Sequence, residues 1–124
     1  MTDNLVKAIL MGAHALIKDP DRFLRRDGSA DKYGNECPPD APNAVAFCTR
    51  NAVVRAATEL RINDPDAKKK ALGEAFDALF SAAELGGALS RDEQLRIYNH
   101  IRLQELNDRS PHEHMLSLLA TATG

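Results

Sequence analysis

The chain has 124 residues, a length that predicts one domain with a single core. Nineteen Ala and 15 Leu stand against nine Val plus Ile and five Thr, a balance that favours helices and excludes an all-β fold. With 44% hydrophobic and 27% charged residues the composition lies far from that of disordered chains.

Sixteen basic and 18 acidic side chains leave a net charge of -2. Basic residues cluster only at Lys68, Lys69 and Lys70, too few to release counterions from a phosphate backbone, so nucleic acid is not expected as a partner. No window supplies the roughly 18 to 20 apolar residues of a membrane span, and Met1-Thr2-Asp3-Asn4 does not open a secretory signal. The expectation is a cytoplasmic protein with no membrane partner. Cys37 and Cys48 are eleven positions apart, match no metal-ligand spacing, and are expected as free thiols.

From Asn4 to Ile17, Leu5, Ile9, Ala13 and Leu16 recur at helical spacing beside a second stripe of Val6, Leu10 and Ile17, predicting a first helix buried over a wide arc. Asp19-Pro20 places a capping residue before proline and starts a short turn through Phe23 and Leu24. Between Arg25 and Asn43 the periodicity vanishes among Gly28, Gly34, Pro38, Pro39 and Pro42. This reads as one long connection with a short extended piece at 30–37, the kind of segment that often carries function.

A second helix is expected from Asn43, as cap, to about Leu60, with Val45, Cys48, Ala52, Val53, Ala56 and Leu60 on its apolar face and Asn51 opposite. Its alanines suit close packing against another helix. Asn63-Asp64-Pro65 repeats the cap-then-proline signal and opens a helix to about Leu85, ended by Gly86-Gly87. Ser90-Arg91-Asp92-Glu93 is a capping box that begins a helix to about Leu106. There Leu95, Ile97, Ile101, Leu103 and Leu106 share no single face, which predicts a central helix or one at a subunit contact. Ser110-Pro111-His112-Glu113 opens the last helix, with Met115, Leu116, Leu118 and Leu119. The expected architecture is all-α, a bundle of about five helices in a single domain over 1–124, with one long loop at about 25–43.

Cys48 is the candidate nucleophile, because a thiolate attacks carbonyl carbon when nearby positive charge lowers its pKa. Asn51 and Arg55 follow on the same strip as candidate binding residues. The alternative for Cys48 is a small buried hydrophobe. Asn107-Asp108 reads as a turn between helices, or as a polar pair at a helix N-terminus, where backbone N-H groups favour an anion. His112 and His114 stand two apart, not at the spacing of a zinc-binding helix, so no metal is expected. Gly86-Gly87 lacks the Lys and Ser/Thr of a phosphate loop, and no cofactor is expected.

Two stretches resemble an uncharacterised family of small helical bacterial and phage-borne proteins. The first runs Ala46-Phe47-Cys48-Thr49-Arg50-Asn51-Ala52-Val53-Val54-Arg55-Ala56-Ala57 and is similar to the family's helix with Cys-x-x-Gly-Ala. The second, Leu106-Asn107-Asp108-Arg109-Ser110-Pro111 followed by Leu116 to Leu119, is similar to its Asn-Asp turn and last helix. Asp31-Lys32-Tyr33-Gly34 fits the spacer. This sequence carries Asn51 where the family has Gly and contains no Trp. The resemblance implies no reaction; it directs attention to Cys48, Asn107 and Asp108.

The leading expectation is a protein without catalysis that acts by binding another protein or itself. A second is a small hydrolase or transferase with Cys48 as nucleophile, Asp108 and His112 as partners, and the long loop as a lid. A third is a nucleic-acid-associated phage or defence protein.

Overall fold

The computed structural model describes residues 4–85 and 93–124. Its first helix, α1 (Asn4–Ile17), has the expected bounds and buries Val6, Ile9, Leu10, Ala13, Leu16 and Ile17. Asp19 then caps a 3-10 turn (Pro20–Arg22) by accepting from the Asp21 N-H at 2.9 Å. Proline's fixed φ suits that first position, which has no hydrogen bond to lose.

The region expected as one long loop is more ordered than its sequence suggests. It carries three two-residue strands, β1 (Ser29–Ala30), β2 (Glu36–Cys37) and β3 (Ala46–Phe47), in the order β2-β1-β3. Both pairings are antiparallel, with Ser29 opposite Cys37 and Phe47. The extended piece is thus a hairpin, turned by the Asp31 carboxylate, whose Oδ1 accepts from the N-H groups of Tyr33 and Asn35, with Gly34 at φ 82. Phe23 bridges Phe47 on the other side.

Because Ala46 and Phe47 are spent on the sheet, α2 (Thr49–Glu59) starts five residues later than expected, with Cys48 instead of Asn43 as its N-cap. Val45 and Leu60 lie outside the helix and are partly exposed, whereas Asn51, assigned to the polar face, is buried. The alanines do permit a close approach: a Cβ added to Gly12 of α1 would meet the Ala56 Cβ at 3.0 Å.

α3 (Pro65–Ala82) is capped by Asp64, which accepts from the Asp66 N-H. It stops before the diglycine, which lies outside the described residues. The terminator is Glu84, at φ 58. The N-H of Leu85 returns to the Phe80 carbonyl and that of Glu84 to Ser81, a Schellman motif without its usual glycine. The Ser90 capping box also lies outside the described residues.

α4 (Glu93–Arg109) and α5 (His112–Thr123) complete the fold. α4 extends through Asn107-Asp108, so that pair is helical and not a turn. Ser110 does not cap α5, which has Pro111 at its N-cap and no side-chain cap bond. The Ser110 N-H instead continues the α4 ladder to Leu106. α1 is the central helix, packed on α2, α3 and α5, while α4 rests on α2 and α5 at the edge. One apolar cluster joins α1, α2, α3 and α5 with Phe23 and Phe47, and among the described residues α4 contributes Leu103 to its fully buried part and Leu106 to its partly buried margin. Among the described residues no helix is long and apolar enough to cross a membrane.

Candidate functional site

Of the candidate residues, Cys48, Asn51 and Asn107 come together at the N-terminus of α2. A helix start leaves four N-H groups without partners inside the helix, and a thiol is a weak acceptor for them. Cys48 Sγ takes the Asn51 N-H at 3.4 Å. The stronger cap comes from another helix: Asn107 of α4 accepts the Thr49 N-H at 2.8 Å and the Thr49 hydroxyl at 2.7 Å, both on Oδ1. Its Nδ2 donates to the Leu24 carbonyl at 2.8 Å and to Asp108 Oδ1 at 3.1 Å. Every donor and acceptor site of this fully buried amide is filled. Asn107 therefore stitches α4 to both α2 and the segment after the 3-10 turn.

Asn51 and Arg55 do comparable work on the strand region. The Asn51 Nδ2 donates to the Ser29 hydroxyl at 2.9 Å, a buried bond. The Arg55 guanidinium donates to the carbonyls of Pro39 and Ala41 and pairs with Glu59 at 2.9 Å, while lying over the Phe47 ring. Both hold the 29–41 stretch against α2.

Cys48 is 0% exposed. Burial pushes its thiol above the ordinary value, helped by the nearby Asp27 charge and opposed by hydrogen bonds at Asn51 and Gly28 and by Arg50. His112 lies elsewhere: its Nε2 meets the Ile17 carbonyl at the end of α1 and its ring packs on Phe23 with centroids 5.0 Å apart. No hydrogen bond joins it to Cys48 among the described residues. Cys37, on β2, is partly exposed, and both cysteines are free thiols.

Beside this junction a cleft of about 270 Å³ opens between the first turn of α2 and α4. Arg50 and Asp27, 3.7 Å apart, form one wall, and His100, Gln104 and Asp108 of α4 form the other. Gln104 Nε2 donates to Asp108 at 2.8 Å, while Gln104 Oε1 and His100 Nδ1 are shielded from solvent and have no hydrogen-bond partner among the described residues. The His100 ring meets Phe76 and Phe80 edge-on at 4.6 and 5.0 Å. Burial, then the charges of Arg50 and Arg96, lower its pKa to about 4, so it is neutral at pH 7. His100, Gln104 and Asp108 are four residues apart along the chain, a helical strip that the sequence could have yielded.

The outer side of α4 inverts the usual pattern. Among its described residues the fully buried ones are Asn99, Leu103 and Asn107, while Ile97 is 55%, Tyr98 53% and Ile101 53% exposed. Arg102 and Arg109 flank a second recess with Leu85 and Leu106 on one side of these residues, and Asp108 lines the cleft on the other. Glu105 borders both.

Fold and site together define a small, mostly helical protein in which the buried Asn107 ties the peripheral α4 to α2 and the segment after the 3-10 turn, and the buried Asn51 ties α2 to a minimal sheet. The chain belongs to the Family of unknown function (DUF6197), which it matches over residues 1–124. No curated protein and no solved structure matches it.

Proposed function

We propose that this protein acts without catalysis, by self-association, and that a second copy covers the outer face of α4. The observation that carries this reading is the exposure of Ile97, Tyr98 and Ile101 on a helix whose inward stripe holds two asparagines. Clustered apolar exposure rimmed by charge is the pattern of an interaction surface. A second copy suits it because the rim carries both signs, Arg102 and Arg109 against Glu105 and Asp108. A rim of one sign would repel its own image.

The catalytic alternative has less support. A nucleophilic cysteine needs thiolate character and access, and the Cys48 thiol is buried, raised in pKa and engaged as a helix cap. The nucleic-acid alternative finds no basic cluster beyond Lys68, Lys69 and Lys70.

Size-exclusion chromatography with light scattering tests the proposal. A dimer is expected for the wild type and a folded monomer for Ile101→Asp. A wild-type chain that stays monomeric at every concentration contradicts it.

A further inference from the structure

We draw no further inference here: the strongest candidate, the cleft between the first turn of α2 and α4, carries nothing because it is a cluster of carboxylates (Asp27, Glu105 and Asp108) around Arg50 with no second feature that points to a ligand, its two unpartnered atoms, Gln104 Oε1 and His100 Nδ1, being shielded from whatever would enter it.

Discussion

α1 and α4 differ little in length, 14 and 17 residues, and are built on opposite rules. α1 buries six apolar side chains and sits at the centre of the bundle. Among its described residues α4 fully buries Asn99, Leu103 and Asn107, packs Leu106 partly against the core, and shows Ile97, Tyr98 and Ile101 to solvent. Burying apolar area contributes roughly 25 cal/mol per Å² whatever the orientation of the groups, so α1 supplies stability that tolerates small shifts. Buried amides gain only with every partner in place. α4 is therefore fixed in one position by Asn107, leaving its apolar residues free for another surface.

The largest expected effect breaks that anchor. Asn107→Leu strands the Thr49 N-H, the Thr49 hydroxyl and the Leu24 carbonyl together, at about 1 to 3 kcal/mol for each group left unsatisfied. Chemical denaturation should show a loss of at least about 3 kcal/mol. Next comes the tight contact on the α1 side. Gly12→Val adds atoms where a single Cβ already meets Ala56 at 3.0 Å, and overpacking of this kind costs about 1 to 3 kcal/mol.

A third effect depends on pH and belongs to α4. The His100 pKa is lowered from 6.5 to about 4, so the unfolded chain takes up the proton first. Stability should be full above about pH 6.5 and fall progressively towards pH 4. Thermal melts across that window should slope less in His100→Phe, which keeps the ring contacts with Phe76 and Phe80. An unchanged slope would place the titrating group elsewhere. The smallest effect lies at the end of α3. Glu84→Gly relieves a left-handed residue at φ 58 and should raise stability by about 1 kcal/mol.

The same contrast explains what the sequence revealed. α1 was legible to the residue because its stripes repeat at 3.6-residue spacing, and the caps at Asp19 and Asp64 were legible because capping is local. The start of α2 was not, since a short apolar run such as Val45 to Phe47 fits strand or helix equally, and its strand pairing comes from Ser29 and Ala30, far back in the chain. Asn107 could be named as a polar candidate, but its role as the cap of α2 depends on Thr49, 58 residues away. On α4 the scattered aliphatics suggested a central helix or one at a subunit contact; periodicity assumes that what is buried is apolar, and here Asn99 and Asn107 are buried alongside Leu103.

The central claim is that α4 keeps its apolar side outward for a second copy. Sedimentation equilibrium on the wild type and on Ile97→Asp/Ile101→Asp, paired with denaturation of both, tests it most directly. The account predicts a monomer–dimer equilibrium for the wild type and a monomer for the double variant, whose unfolding midpoint matches the wild-type midpoint measured at monomeric concentration. Identical masses for the two chains, or a double variant that is monomeric because it has unfolded, would contradict it.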